Sequence, residues 1–351
     1  MRDPDLIPDG LRESVTRHVA DPGLPDGATW LATLPRLVPE VLGHWRLRRD
    51  GPPDPTGPTG SARPRVPADP VDPTGPTDPT PATSPAGTAW HGSSALVLPV
   101  RRTDGTPAVL KLVWPHAEGR TERLALRTWD GDGAVRLLAA DPSRWALLLE
   151  RLEVRDLNSE SVLDAAEELG RIAARLDRPA PPWAPRLSEH LRTLVADIDA
   201  LRTRDARGHT FPRRLLEAGR ALAVDLGSEP DVDARLVHTD LHAGNVLRRT
   251  DPAEWVAIDA EVMAADPAFV LAPLLWDRWE PARSAHDLRA HLQLRLDVAC
   301  AAAGLDYDRA RAFALVRCVR NAIWELDAVE HPGTAAAITQ AVTIIKALQS
   351  P

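Results

Sequence analysis

The chain of 351 residues is poor in cysteine, tyrosine and phenylalanine, and it has no excess of positive charge. Its two cysteines, Cys300 and Cys318, lie within apolar helical patterns, which argues against a disulfide framework and favours a reducing cytoplasm. The net charge of −8 argues against binding to nucleic acid and is compatible with cationic partners.

Long hydrophobic runs are also missing. The N-terminal residues MRDPDLIPDGLRESV contain no apolar core next to basic residues, so we expect no signal peptide. No apolar run approaches the roughly 20 residues that span a bilayer, so no membrane partner is expected. The length nevertheless allows two lobes with their own cores, since domains usually contain about 100–200 residues. We expect a monomer or a weak dimer.

Residues 51–89 differ in composition from the rest of the chain. They contain twelve prolines, and DPTGPT occurs twice, at 54–59 and at 72–77. Such a segment buries too little apolar surface to offset the entropy lost on ordering. The composition therefore predicts a disordered insert that is partly polyproline II.

The residues on either side of this insert have the pattern of a small β-rich lobe. A helical stripe runs over 30–42, and HWRLRR is typical of a first strand. After the insert, two apolar runs flank an Asp-Gly turn at 104–105, which predicts a β-hairpin. A helix over 118–129 and two strands around Asp141-Pro142 follow, and we place the end of this N-terminal lobe at residue 152.

From residue 158 onward the pattern is mainly helical. Apolar residues recur at helical spacing over 162–176, with a cap expected at Asn158 or Ser159. Further helices are predicted at 186–203, at 211–226 and towards the C-terminus, with breaks near Gly304 and Pro332. LVHTDLHAGNVLRRT at 236–250 interrupts them, and EWVAIDAEV adds one short strand. Residues 153–351 are therefore expected to form a second, helical lobe.

The polar residues after position 236 are the strongest candidates for a site. Asp240 and Asn245 lie five residues apart between two apolar runs, and Asp259 follows the apolar WVAI. If NVLRR pairs with WVAI, the hairpin brings Asp259 beside Asn245. Phosphoryl transfer needs a carboxylate to accept the proton of the attacking hydroxyl and oxygen ligands for Mg²⁺.

Other interpretations remain open at this point. His238, Asp240 and His242 at alternate positions could share a metal, as in a metallohydrolase, although no further ligand motif such as HExxH is present. Asp240 and Asn245 could instead be structural turn residues. Lys111, within the apolar AVLKLVW, is either a cation with an ionic partner or an edge-strand residue that prevents aggregation.

Two neighbouring motifs carry a resemblance to a known family. HTDLHAGNVL, followed by AIDAEVMAADP, resembles the Brenner motif and the metal-aspartate motif of the aminoglycoside phosphotransferases, relatives of the protein kinases. GTPAVLKL, LLLERL and DPAFVLAPLLWDRW look like the streptomycin and hydroxyurea kinase branch, and the resemblance covers the chain except 54–88. It implies an α+β, two-lobed protein-kinase-like fold with a small antiparallel-β N-lobe and a larger, mostly helical C-lobe.

The resemblance implies a role for each residue of the polar loop. Asp240 would be the catalytic base, and Asn245 and Asp259 would bind Mg²⁺. His238 would orient the loop without taking part in the chemistry. The reaction implied is transfer of the γ-phosphoryl group of ATP to a hydroxyl of a small molecule.

The resemblance also implies a nucleotide site. Lys111 would bind the α- and β-phosphates, with Glu122 as its helix partner and Glu118 as the fallback. The remaining nucleotide-binding candidates are the hinge residues Glu150 and Leu152 and the phosphate-covering residues Gly92, Ser93 and Ser94. Acidic contacts to the substrate are expected from Asp266, Glu325 and Asp327.

Three features depart from the family pattern. Thr239 stands where members usually have glycine, Val270 stands where many have a structural aspartate, and the insert lengthens the phosphate-covering loop. We favour a kinase for a cationic, streptomycin-like aminoglycoside. The alternatives are a sugar or amino-sugar kinase and an inactive nucleotide-binding relative, although the retained Lys111, Asp240, Asn245 and Asp259 argue against inactivity.

Overall fold

The computed structural model of the protein describes residues 6–17, 20–50, 90–91, 94–205, 210–327 and 333–349. The chain folds as two compact units. Unit 1 contains Met1–His116 and Leu138–Arg151, and unit 2 contains Ala117–Leu137 and Leu152–Pro351. The predicted insert at 51–89 lies outside the described residues, and the lobe boundary after residue 152 stays a prediction.

Unit 1 is built on a six-stranded sheet in the order β1-β3-β4-β6-β5, with β2 also paired to β3. Its strands are β1 (Arg48–Arg49), β2 (Trp90–His91), β3 (Ala95–Arg101), β4 (Pro107–Val113), β5 (Leu137–Asp141) and β6 (Ala146–Glu150). The predicted hairpin is present as the antiparallel pair β3–β4. Gly105 in its turn has a φ of 84°, a left-handed conformation that glycine adopts without steric cost.

Lys111 lies on an interior strand of this sheet. It is opposite Val97 on β3 and Leu147 on β6, and only 7% of its surface is exposed. Because β4 has a hydrogen-bonded neighbour on each side, the interpretation of Lys111 as an edge-strand residue is wrong.

Two helices share the core of unit 1 with the sheet. They are α1 (Asp9–Arg17) and α2 (Gly27–His44). The helix α2 begins at the cap Asp26, whose carboxylate accepts the Thr29 N–H at 2.7 Å. Its predicted apolar stripe, which includes Trp30 and Leu34, is buried in the same cluster as the inner face of β3 and β4. This burial is what holds helices and sheet together.

Unit 2 consists mainly of helices. These are α3 (Gly119–Trp129), α4 (Val162–Leu176), α5 (Leu187–Arg204), α6 (Arg213–Gly227), α7 (Trp279–Arg283), α8 (Leu288–Ala303), α9 (Tyr307–Asp327) and α10 (Thr334–Gln349). Short 3₁₀ helices are Leu157–Ser159, Ala243–Asn245 and Pro267–Leu275. Helix α4 is capped by Ser161, which accepts the Asp164 N–H at 3.2 Å. The predicted cap at Asn158 or Ser159 is wrong, because these residues form the separate 3₁₀ turn.

Two small sheets carry the polar loop of unit 2. Strand β8 (Arg235–His238) pairs with β7 (Arg178–Pro179) and with β11 (Val262–Ala265). Strand β9 (Val246–Arg249) pairs with β10 (Glu254–Ala257), which confirms the predicted pairing of NVLRR with WVAI. The short strand predicted in EWVAIDAEV is present as β10. The chain turns at Asp259, where φ is 54°, and β10 and β11 therefore belong to different sheets.

Both cysteines of unit 2, Cys300 and Cys318, are buried free thiols. In the part of the chain that the structure describes, no helix is both long enough and apolar enough to cross a membrane.

Candidate active site

His238 fixes the start of the polar loop. Its side chain is 1% exposed, and its ring is stacked on Trp129 with the centroids 6.1 Å apart. Nε2 lies 3.0 Å from the Ile258 carbonyl oxygen, and Nδ1 accepts the Asp240 N–H at 3.2 Å. Burial lowers the pKa of His238, so the ring is neutral and donates from Nε2.

These contacts exclude the metallohydrolase interpretation. Both ring nitrogens of His238 are engaged with the backbone, so neither can bind a metal. Within the described ranges, no group of three or more His, Cys, Asp or Glu side chains could hold a metal ion.

Asp240 is held in place while part of its carboxylate stays accessible. Oδ2 accepts a hydrogen bond from Nδ2 of Asn245 at 2.9 Å and lies 3.5 Å from Nε2 of His242, and 38% of the side chain is exposed. Burial raises the pKa of Asp240, but the hydrogen bond and charge of His242, together with the charge of Arg317, outweigh it and lower the pKa to about 2. The carboxylate is therefore ionised at neutral pH and able to accept a hydrogen bond from a hydroxyl.

The hairpin β9–β10 brings Asn245 and Asp259 together. Asn245 ends the 3₁₀ turn before β9, and its carbonyl oxygen accepts the N–H of Ile258 at 2.9 Å, one residue before Asp259. Nδ2 of Asn245 donates to the carbonyl and the carboxylate of Asp240, so the amide oxygen is the atom left for a ligand. An amide oxygen and a carboxylate are hard ligands of the kind that Mg²⁺ prefers. This donor set fits a magnesium ion.

A further acidic side chain lies beside this pair, and it holds its proton at neutral pH. Glu261 lies across from the loop, where its carbonyl oxygen accepts the Thr239 N–H at 2.8 Å. Burial, together with the charges of Asp240, Glu118 and Asp259, raises the pKa of Glu261 to about 8. Like charges this close resist joint ionisation, and a bound cation would relieve that repulsion.

One residue that supports the loop was not identified from the sequence. Oδ2 of Asp277 accepts the N–H of Ala243 at 3.0 Å and so fixes the turn that carries Asn245. The backbone of Asp277 is itself fixed, because the buried Arg295 donates a hydrogen bond to its carbonyl oxygen at 2.9 Å. Asp277 lies in the quoted WDRW, but nothing in the spacing of that motif indicated this contact.

The candidates for nucleotide binding are distributed over both units. Lys111 is buried on β4 in unit 1, and Glu122 is buried on α3 in unit 2, so their pairing stays a prediction. The remaining candidates lie at element ends or outside the described residues: Ser94 precedes β3, Glu150 ends β6, Leu152 starts a segment of unit 2, and Gly92 and Ser93 are not described.

The three acidic residues proposed for the substrate have different surroundings. Asp266 caps the 3₁₀ helix Pro267–Leu275 by accepting the Ala268 N–H at 2.8 Å, and it pairs with Arg309 at 2.7 Å. These contacts account for Asp266 without a substrate. Glu325 is partly buried on α9 and has contacts within the protein. Asp327 ends α9, and its side chain lies outside the described part. Substrate binding by all three stays a prediction.

Val270 is matched to its surroundings. It is 3% exposed and lines a cavity of about 30 Å³ together with apolar side chains such as Leu236 and Leu305. An ionised aspartate at this position would be costly to bury without a partner. Valine here therefore fits an apolar core and removes no ligand from the polar loop.

The chain is similar to known proteins over most of its length. The family described as "Aminoglycoside/hydroxyurea antibiotic resistance kinase" matches residues 81–328. The chain is 34% identical to the streptomycin 6-kinase of Streptomyces glaucescens over 98% of its own length and 97% of the relative's. It is 40% identical to the hydroxyurea phosphotransferase of Kitasatospora aureofaciens, over 69% of each chain.

A solved structure confirms the predicted fold. It is a thermostable mutant of aminoglycoside phosphotransferase APH(4)-Ia in a ternary complex with AMP-PNP and hygromycin B. The TM-score is 0.51 at 16% identity, and the match covers 76% of this chain and 96% of that one. The protein therefore has the two-lobed protein-kinase-like fold. Its matches to the family and to full-length kinase relatives show that it is a phosphotransferase that belongs to the aminoglycoside/hydroxyurea antibiotic resistance kinases.

Proposed function

We propose that the protein is a cytoplasmic, Mg²⁺-dependent kinase that phosphorylates a hydroxyl group of a cationic aminoglycoside of the streptomycin class. The observation that carries this proposal is the arrangement of Asp240, Asn245 and Asp259 on two joined strand ends. The similarity to a streptomycin 6-kinase over nearly the whole chain supports the substrate class. The ionised carboxylate of Asp240 and the acidic side chains beside it suit a cationic acceptor.

In this mechanism Asp240 positions the acceptor. Its accessible carboxylate accepts a hydrogen bond from the substrate hydroxyl, whose oxygen then forms a bond to the γ-phosphorus of ATP while the bond to the β–γ bridging oxygen breaks and ADP leaves. The low pKa of Asp240 keeps it ionised beforehand, and it takes the proton as the attacking oxygen bonds to phosphorus. Asn245 and Asp259 would hold Mg²⁺, which when bound neutralises negative charge on the phosphates.

A second candidate function is phosphorylation of hydroxyurea. It is favoured by the relative that is 40% identical over 69% of this chain. The two functions differ in the size of the acceptor, since hydroxyurea is small and acyclic. A direct comparison of acceptors therefore separates them.

The test is a coupled assay of ADP release with streptomycin, other aminoglycosides, hydroxyurea and amino-sugars. We expect turnover with streptomycin that Asp240→Asn lowers by about 10²–10⁴-fold, the usual effect of losing a general base, while the KM for ATP stays unchanged. Asp199→Asn is the matched control. The pKa of Asp199 is also lowered to about 2, by the hydrogen bond from Arg220 above all, but the residue lies on α5.

Three outcomes would contradict the proposal. Preferred turnover with hydroxyurea would establish the second function in its place. ADP release that none of the tested acceptors stimulates would contradict both proposed functions. Near-wild-type turnover of Asp240→Asn would show that Asp240 is not the catalytic base.

A further inference from the structure

The 3₁₀ turn Ala243–Asn245 depends on a contact from outside the polar loop. The first N–H groups of a helix have no acceptor within it, so other groups must accept them. The His242 side chain accepts the N–H of Gly244 at 3.2 Å. The N–H of Ala243 is accepted by Oδ2 of Asp277 at 3.0 Å. Because Ala243 is 1% exposed, water has little access to this N–H, and loss of its acceptor would be costly.

The carboxylate of Asp277 is fixed in the orientation that makes this contact. Its Oδ1 accepts the N–H of Arg278 at 2.9 Å, so both carboxylate oxygens are bonded to backbone N–H groups. Arg278 caps α7 with a φ of 48°, and its side chain donates to the carbonyl of Glu160 at 3.0 Å. Rotation of the Asp277 side chain would break two hydrogen bonds at once, so the carboxylate is a rigid acceptor.

A buried arginine fixes the backbone that carries this carboxylate. Arg295 on α8 is 1% exposed, and its guanidinium donates to three backbone carbonyls. These are the carbonyls of Leu274, Asp277 and Arg278, at 3.3, 2.9 and 3.0 Å. The planar guanidinium presents its donors in a fixed geometry. It therefore holds the chain that leads into α7 in one arrangement, while the Asp277 carboxylate bonds to the polar loop.

These contacts form a continuous path from α8 to Asn245. Arg295 holds the backbone of Asp277, and Asp277 holds Ala243. Ala243 lies two residues before Asn245 in the same turn. The amide group of Asn245 is oriented by the hydrogen bonds from Nδ2 to Asp240, which leave its oxygen for a ligand. A shift of the turn would move this oxygen with the backbone.

We propose that Asp277 is a positioning residue for Mg²⁺ binding, which acts through Asn245, and that Arg295 holds it in place. The inference rests on the proposed function, in which Asn245 and Asp259 hold Mg²⁺. Asp277 touches neither the metal nor the nucleotide in this scheme. Removal of a side chain that orients a metal ligand typically lowers metal affinity by about 10–100-fold. Loss of Asp277 should therefore weaken ATP binding with Mg²⁺ and leave ATP binding without Mg²⁺ unchanged.

The experiment is calorimetric titration of ATP with and without Mg²⁺, and the ratio of the two Kd values measures the gain from Mg²⁺. For Asp277→Ala we expect this gain to fall about tenfold, with the Kd of ATP alone within about twofold of wild type. Asp277→Asn removes the same charge but keeps one acceptor oxygen. That oxygen should face the buried N–H of Ala243, because Arg278 is partly exposed. The gain in Asp277→Asn should therefore stay within about threefold of wild type.

The matched control is Asp233→Ala. Asp233 also accepts a backbone N–H from a distant part of the chain, that of Ser188 in the first turn of α5, at 2.8 Å. This variant should have a lower melting temperature, as Asp277→Ala should, but an unchanged gain from Mg²⁺. In the Asn245→Ala background, Asp277→Ala should lower the gain by less than about twofold further, because the ligand through which it acts is absent.

Three results would overturn the inference. They are an undiminished gain in Asp277→Ala, additive losses in the double mutant, and equal losses in Asp277→Ala and Asp277→Asn, which would assign the effect to charge. If Asp277→Ala does not fold, Asp277→Glu decides, since it keeps the charge but displaces the carboxylate, and a wild-type gain there would overturn the inference.

Failure of the proposed function gives a different result. A wild-type enzyme that gains affinity from Mg²⁺ but turns over none of the acceptors contradicts the proposed function alone. Turnover by wild type with an undiminished gain in Asp277→Ala contradicts only the role of Asp277. A wild-type enzyme whose affinity for ATP does not depend on Mg²⁺ overturns both.

Discussion

The conformation of Asp259 gives a prediction that separates backbone strain from metal binding. Its φ is 54°, and its carbonyl accepts the N–H of Glu261 at 2.9 Å in the turn between β10 and β11. Asp and Asn adopt this left-handed region with little cost, whereas other residues with a Cβ pay roughly 1–2 kcal/mol. Asp259→Asn should therefore retain the turn, and Asp259→Ala should be less stable than Asp259→Asn by about that amount.

Both variants remove the same negative charge, so the relief of repulsion with Asp240 and Glu261 cancels in the comparison. For a unit of about 200 residues, 1 kcal/mol shifts the melting temperature by about 2–4 °C. We therefore expect Asp259→Ala to melt about 2–8 °C below Asp259→Asn in calorimetry without Mg²⁺. Titration of ATP with and without Mg²⁺ should show that both variants lose most of the Mg²⁺-dependent gain in affinity, because each lacks the ionised ligand.

Two results would refute this reasoning. Equal melting temperatures of the alanine and asparagine variants would mean that the left-handed turn imposes no cost at position 259. Wild-type affinity for Mg²⁺ and ATP in Asp259→Asn would place the metal elsewhere. Asn245→Ala, which removes a neutral ligand, should weaken Mg²⁺-dependent binding less than either variant.

Three further predictions concern other parts of the molecule. Lys111→Met should raise the KM for ATP and lower turnover, and unchanged ATP kinetics would exclude a phosphate contact. Burial, with the charges of two arginines, lowers the pKa of His190 to about 4, below the 6.5 of the unfolded chain. The contribution of neutral His190 to the free energy of unfolding is therefore complete above pH 6.5 and is lost as the pH falls towards 4. Between pH 7.5 and pH 4, the free energy of unfolding in urea should fall by about 3 kcal/mol more for wild type than for His190→Gln. Equal decreases for the two proteins would contradict this. A Cβ at Gly170 on α4 would lie 2.3 Å from the Ala299 carbonyl oxygen on α8, so Gly170→Ala should lower the free energy of unfolding by about 1–3 kcal/mol or more. Gly43 has open space around it, so Gly43→Ala should be neutral or stabilising. Equal stability of the two variants would contradict the close packing of α4 against α8.

Most elements of the fold follow from short-range signals. The helical stripes of α2 and α4, the Asp-Gly turn before β4 and the stop of α8 at Gly304, whose φ is 68°, were all predicted from patterns within a few residues. Periodicity and turn chemistry are local properties, so they are present in the sequence before any tertiary contact forms. The cap of α4 was predicted wrongly, because it depends on one backbone conformation among several that the sequence allows.

The polar loop also combines features that local sequence signals predict with features that depend on tertiary contacts. The spacing of Asp240, Asn245 and Asp259, together with the apolar runs around them, was enough to predict a hairpin that joins the last two. It was not enough to identify Asp277 as the support of that loop, since the hydrogen bond to Ala243 spans 34 positions. Nor did it decide whether Lys111 is an edge residue, because the sequence does not state which strands lie beside β4.

By itself the sequence determined the fold class, the order of most elements and the candidate residues for phosphoryl transfer, because these depend on local pattern and on motif. Only the tertiary structure decided the electrostatics. Arg317 is one arginine among many until α9 places its guanidinium against the rings of Phe269 and Trp276. The raised pKa of Glu261 and the lowered pKa of Asp240 likewise arise from burial and from charges distant in the chain. Desolvation and Coulomb energies depend on distances in space, and spacing along the sequence does not fix those distances.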